Sequence, residues 1–265
     1  MTRQLAPLSS TPWPDLNPGT VHLWQLQCSQ AQDQIENWWP WLDGDEQRRA
    51  QRFYRDRDRH TFILSRGGLR WLLGQYLQQA PQHITFGYGE YGKPEVLPAL
   101  PRGVNFLTHQ APDSQAPGFS PPENLQFNLA HSGDWVVYGI TWAAAIGVDV
   151  EVITPRSHLE GLIDCCLTPR EQTHLAADPI LRLSQFFDYW TVKEAHLKAT
   201  GHGLRYAMTQ VEVDWQRPPR LVQTADSQRV WQIDTWSPAP GVAAAVCVAG
   251  VVDEIALGVL PAVTA

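Results

Sequence analysis

The chain has 265 residues, of which 43% are hydrophobic, 10% aromatic and 18% charged, with twelve Trp and a formal net charge of −7. So much apolar material with so little charge excludes a disordered chain, and the length suits one large domain or two smaller ones. The acidic balance argues against a nucleic-acid binder, since no basic surface with interleaved aromatics runs along the chain.

Residues 1–17 are broken by Pro7, Pro12 and Pro14 and hold no apolar run, so no secretory signal is expected. No segment reaches the roughly 18 apolar residues of a membrane span. The expectation is a soluble, cytoplasmic protein with no membrane partner. Cys28, Cys165, Cys166 and Cys247 are too few for a disulfide scaffold and lack paired metal-ligand spacing, so reduced thiols are expected.

In chain order, residues 21–26 alternate apolar and polar as a half-buried strand does. Asp43-Gly44-Asp45 offers capping chemistry for a helix through about Arg55. A second helix is predicted over about 58–79, with Phe62, Leu69, Leu73 and Tyr76 at helical spacing. Gly67-Gly68 weakens it by about 1 kcal/mol per Gly against Ala, which close packing on a neighbour would explain. Residues 94–122 are rich in Pro, Ser and Gly and read as a long surface loop. Strands are predicted over 125–130, 135–142 and 147–152, a helix-rich stretch over 158–200, and strands over 211–215, 230–235, 242–248 and 255–260. The order of strand, helices and strands occurs on both sides of residue 143. It suggests an α/β (α+β) fold of two similar subdomains, 1–143 and 144–265.

Gly147-Val148-Asp149-Val150-Glu151 puts Val148, Val150 and Val152 on one strand face and Asp149 and Glu151 on the other. Two anions side by side are either a solvent-facing strand face or a divalent-cation site built from oxygen ligands. Downstream, Leu183, Phe187, Trp190, Glu194 and Leu197 follow helical spacing. The stripe faces inward, and Glu194 stands where a hydrophobe belongs. Either it pairs with Lys198 four residues on, or it faces a cleft and completes a cation site with Asp149 and Glu151. Lys193 lies on another side of that helix and is expected to be solvated.

Donors for an anion also occur. His131 and Ser132, with the backbone of the turn at Gly133, form a plausible anion cradle. Arg48, Arg49, Arg52, Arg55, Arg57 and Arg59 crowd the first helices among Asp45, Glu46, Asp56 and Asp58. This is either a solvated face or a grip for phosphate.

These segments together resemble the 4′-phosphopantetheinyl transferases, in particular the larger Sfp-like class. The matching pieces are Tyr91-Gly92-Lys93-Pro94, Phe127-Asn128-Leu129-Ala130-His131-Ser132-Gly133, Gly147-Val148-Asp149-Val150-Glu151 and the run from Trp190 through Lys193-Glu194-Ala195 to Lys198 and Gly201, with Gln51-Arg52-Phe53-Tyr54 like the family's early helix. The resemblance implies two pseudo-symmetric α/β subdomains with coenzyme A in the cleft between them. It implies Mg²⁺ held by Asp149, Glu151 and Glu194, and coenzyme A phosphates contacted by Lys93, His131 and Lys198. Arg49 and Arg57 are its candidates for the 3′-phosphate. The implied reaction moves 4′-phosphopantetheine onto a Ser of an apo acyl or peptidyl carrier protein and releases adenosine 3′,5′-bisphosphate. Glu194 is the expected base, with Lys198 and His131 stabilising charge on the phosphates.

A monomer is expected, and carrier docking is expected to use the apolar and basic residues of 152–175. The sequence departs from the family pattern in three places. Ala130 stands where a Ser hydroxyl would touch a phosphate, Glu46 stands where some relatives carry a basic residue, and the loop over 97–124 is long. Two rival readings stand beside it: a Mg²⁺-dependent pyrophosphohydrolase, which shares the carboxylates, and a binding module that captures coenzyme A or a carrier without chemistry, against which Glu194 and Lys198 on one helix argue.

Overall fold

The computed structural model of the chain describes residues 5–8, 13–89, 92–97, 125–216 and 218–260. Tyr91 and most of the long loop expected over 94–122 lie outside these. The strands are β1 (Ala6–Pro7), β2 (Thr20–Gln27), β3 (Phe86–Tyr88), β4 (Pro94–Val96), β5 (Leu125–Ser132), β6 (Trp135–Trp142), β7 (Ile146–Val152), β8 (Glu212–Asp214), β9 (Arg220–Gln223), β10 (Trp231–Trp236), β11 (Val242–Ala249) and β12 (Glu254–Val259). The α-helices are α1 (Gln34–Trp38), α2 (Gly44–Gln51), α3 (Asp56–Leu77), α4 (Leu159–Cys166), α5 (Pro169–Gln172) and α6 (Pro179–Thr200).

Two sheets carry the architecture, one of five strands in the order β1-β12-β2-β6-β5 and one of three in the order β10-β11-β7. Alternation along β2 explains the layering. Trp24 and Leu26 pack with Leu64, Leu69, Leu72 and Leu73 of α3, while Val21 and Leu23 pack with Val148, Val150, Val246 and Val248 of the second sheet. Helix α6 covers the outer face of that sheet, over Ile233, Ala243, Ala245 and Cys247. The layers are therefore helix, sheet, sheet, helix, and each sheet carries one 22-residue helix. This is the mixed α/β arrangement expected. The 143/144 boundary falls in the β6–β7 turn, but the chain crosses back over it. Strand β12 runs parallel to β2, inside the first sheet.

Local chemistry fixes the helix ends. Asp43 caps α2, accepting from Asp45 N and Glu46 N at 2.9 Å each, and Glu46 returns the bond to Asp43 N at 3.1 Å. Glu46 is buried and also receives the Arg70 and Arg66 guanidinium groups at 2.7 and 2.9 Å. Its departure from the family pattern is therefore structural: an acid here anchors α2 to α3. Gly67 and Gly68 sit where Cβ atoms would come within 2.6 Å of Trp38 Cβ and Tyr138 Oη, which confirms close packing as their reason.

The helix-rich stretch 158–200 is three helices. Thr168 caps α5 through a bond from Glu171 N, and Asp178 caps α6 by accepting from Ile180 N and Leu181 N, with Pro179 in the first turn. The hairpins β3–β4 and β8–β9 and the helix α1 were not expected. The four cysteines are free. Among the described residues no helix is long and apolar enough to cross a membrane.

Candidate active site

Strand β7 divides its faces as its sequence dictates. Val148 and Val150 enter the core between the sheets, and Asp149 and Glu151 turn toward α6. Across the ladder their register partners on β11 are Ala245 and Ala243, whose small side chains leave room for the helix. The stripe on α6 is also as expected: Leu183, Phe187, Trp190 and Leu197 join one core cluster, and Glu194 is only 7% exposed.

The two carboxylate segments meet near the C-terminal end of α6, over its last two turns. Lys198 Nζ donates to Asp149 Oδ1 at 2.6 Å, so its partner is the strand carboxylate rather than Glu194. Asp149 is buried, and its Oδ2 has no hydrogen-bond partner among the described residues. Burial pushes the Asp149 carboxyl up to about 7; Lys198 opposes this, and Glu194 and Glu151 add to it. Burial likewise raises Glu194, against Lys198 and with Glu151. Two desolvated acids, Asp149 and Glu194, thus share one patch with Glu151 and a single ammonium.

That is a donor set suited to a hard cation. The orphaned Asp149 Oδ2 is the observation that fits one, since a buried carboxylate oxygen without a donor is otherwise costly. As the side chains stand, with Lys198 on Asp149, no three His, Cys, Asp or Glu among the described residues enclose an ion.

The cationic side of the site comes from the first half. His131 ends β5 near Lys198. Crowding of the ring, followed by the Lys198 and Arg49 charges, lowers its pKa from the usual imidazole value, with Asp58 acting against. The Arg49 guanidinium lies over the Phe62 ring at 5.2 Å, and Arg57 Nη2 lies 3.9 Å from where a Cβ on Gly133 would sit. So His131, Lys198, Arg49 and Arg57 gather at one end of β5, beside the acids. Lys93 is placed differently: its Nζ donates to Ile146 O at 3.0 Å, and burial lowers its pKa.

That bond belongs to a seam. Among the described residues one edge of β7 has no strand partner, and side chains from the first half satisfy it. Lys93 holds Ile146 O, Asn128 Oδ1 accepts from Val148 N at 2.9 Å, and Ser132 Oγ accepts from Val152 N at 3.1 Å. Ser132 Oγ also donates to Glu151 Oε2 at 2.8 Å. Ser132, expected in an anion cradle, therefore orients an acid. Asn128 had no assigned role, and its cue lay in the sequence as a polar side chain between Phe127 and Leu129.

Two expectations are corrected. Lys193 is not solvated: it is fully buried, paired with Glu171 at 2.6 Å. Ala130 does not stand in for a missing phosphate contact. It faces the core between the sheets, with Val137 and Val148, on the opposite strand face from His131. Ala130→Ser should lower stability by about 1 kcal/mol, because the hydroxyl enters an apolar core. Thermal unfolding checks this.

The model of the 4′-phosphopantetheinyl transferase superfamily matches residues 145–247, which contain β7 and α6. The 4′-phosphopantetheinyl transferase HetI of Nostoc sp. strain PCC 7120 is 34% identical over 232 residues, 87% of this chain and 88% of that one. The 4′-phosphopantetheinyl transferase Sfp of Bacillus subtilis strain 168 is 26% identical over 220 residues, 83% of this chain and 87% of that one. Among solved structures, a holo-(acyl-carrier-protein) synthase from Bacillus anthracis in complex with CoA (3′,5′-ADP) covers 40% of this chain and 94% of its own, with 21% identity and a TM-score of 0.35. Likeness to HetI along nearly the whole length, in a chain whose strand acids and helix acid fold onto one another, shows that it belongs to the 4′-phosphopantetheinyl transferase family.

Proposed function

We propose that this chain transfers the 4′-phosphopantetheine group of coenzyme A to a Ser hydroxyl of an apo acyl or peptidyl carrier protein, releasing adenosine 3′,5′-bisphosphate, with Mg²⁺ as cofactor. The observation that carries the reading is the meeting of buried Asp149 and Glu194 with half-buried Glu151 and Lys198, beside His131. Asp149, Glu151 and Glu194 would hold the metal, which when bound supplies Lewis-acid neutralisation of diphosphate charge.

The protein's own groups do the rest. Arg49 and Arg57 would grip a phosphate from the rim, a guanidinium being able to donate two bonds to one phosphate. Lys198 and His131 donate to the diphosphate oxygens where charge grows as the bond to the leaving phosphate breaks. Glu194 takes the proton of the carrier Ser. Lys93, committed to Ile146 O, serves this reading by holding the cleft wall and reaches a phosphate only by leaving that carbonyl.

The test is incubation of purified protein with coenzyme A and a panel of apo carriers, read by intact mass. Gain of one phosphopantetheine, dependent on Mg²⁺ and abolished by chelator, supports the reading. Release of free phosphopantetheine without an acceptor would favour a hydrolase instead.

Ser132 carries a narrower expectation. Hydrogen bonds that orient a metal-holding carboxylate are typically worth about 10–100-fold in metal affinity. Ser132→Ala should therefore raise the half-saturating Mg²⁺ concentration for loading about tenfold, toward the lower end of that range. Ser132→Thr, which keeps the hydroxyl, should restore it. A Mg²⁺ titration of loading rates for the two variants decides.

A further inference from the structure

Lys193 lies one residue before Glu194, about 100° away around α6. It is 0% exposed. Its ammonium donates to Glu171 Oε2 at 2.6 Å, Cys166 O at 2.8 Å and Met208 O at 3.1 Å, which uses all three of its protons. Glu171 is 1% exposed and equally committed. Its Oε2 also accepts from Thr168 N at 2.7 Å, and its Oε1 from Val213 N at 2.7 Å. One pair thus ties α6 to the end of α4, the cap of α5 and the start of β8.

Stability alone does not explain such a pair, because apolar residues of the same volume often serve a fold equally well. What apolar contact lacks is direction. A charge pair with every donor and acceptor engaged admits one rotation and one height of the helix, set at the turn that carries the active-site acid. We propose that the Lys193–Glu171 pair is a positioning element that fixes α6 so that Glu194 and Lys198 stand against Asp149 and Glu151. This rests on the transfer reading given above.

The experiment removes both charges while keeping both volumes. In Lys193→Met with Glu171→Gln, the amide oxygen still serves Val213 N, while the amide nitrogen cannot accept from Thr168 N. The double variant should fold with an unfolding midpoint several degrees below wild type but above the assay temperature. Its kcat for carrier loading should fall roughly tenfold or more, as a shifted reacting group predicts. Its affinity for Mn²⁺, read by paramagnetic resonance of the free ion, should fall roughly tenfold or more through displaced ligands.

A folded variant that keeps either quantity within about twofold of wild type overturns the proposal, since a merely structural pair would move neither per folded molecule. Should the double variant not fold, Glu171→Asp decides by the same two readings. It keeps the charge and draws the carboxylate back by about 1.5 Å, one C–C bond. A wild-type protein that binds Mn²⁺ but loads no carrier overturns the transfer reading instead, and the Mn²⁺ affinities then decide the positioning role alone.

Discussion

Glu194→Gln should lower carrier loading about a thousandfold, the middle of the range for loss of a general base with a metal-holding charge added to it. The same variant should keep or raise the thermal midpoint. Glu194 is 7% exposed in an otherwise apolar stripe. Its pKa is raised by burial and by Glu151, against Lys198, so its charged form is disfavoured in the folded protein. An amide of the same shape has no charge to desolvate. The sign follows from linkage. A carboxyl whose folded pKa lies above its unfolded value weakens the fold as pH rises between the two, so the variant's advantage in midpoint should be larger at about pH 8 than at about pH 5. Kinetics and thermal scans on one preparation, without added divalent metal for the scans, separate this from a structural role. Loading within tenfold of wild type, or a midpoint that drops by many degrees, would count against Glu194 as a functional acid held at the expense of stability.

How much of this was legible in the residues depends on distance along the chain. The split of β7 into an apolar and an acidic face needs only period-two alternation over five residues. The inward setting of Glu194 needs only the steps from Leu183 to Leu197. Both are local, and both hold. The breaks within the helix-rich stretch 158–200 are also written locally, in Thr168-Pro169-Arg170-Glu171 and Asp178-Pro179.

What local pattern does not carry is partnership. Lys193 looks like any helix lysine until Glu171, 22 residues earlier, is folded against it. Strand β12 was predictable as a strand, but its parallel pairing with β2 joins residues at opposite ends of the chain. Ala130 was compared with its neighbour in sequence, His131, although adjacent strand residues face opposite ways. The same rule that placed Asp149 and Glu151 correctly would have placed Ala130 in the core.

The largest structural effect should come from Gly147→Ala, in the strand that carries two of the three acids. A Cβ there would stand 2.0 Å from Ala195 O and 2.4 Å from Ala199 N. Both are backbone atoms of α6, so no rotamer change relieves the overlap, and the helix must lift from the sheet by about 1 Å or more to reach ordinary contact distance. Overpacking of this kind falls at the upper end of its usual range, about 3 kcal/mol. Activity should fall further than stability implies. Ala195 and Ala199 bracket Lys198 and follow Glu194, so lifting this turn moves both away from Asp149 and Glu151, and a displacement of about 1 Å at a reacting group is worth about a hundredfold in rate. Gly161→Ala is the control. It too lies in a regular element, α4, but a Cβ there meets nothing within 4 Å. It should stabilise the protein by up to about 1 kcal/mol, as Gly to Ala does in a helix. Denaturant unfolding and steady-state loading of the two variants give opposite signs if the close approach of α6 to β7 sets the active site. Equal stability of Gly147→Ala and wild type would mean that the helix does not rest on the strand there.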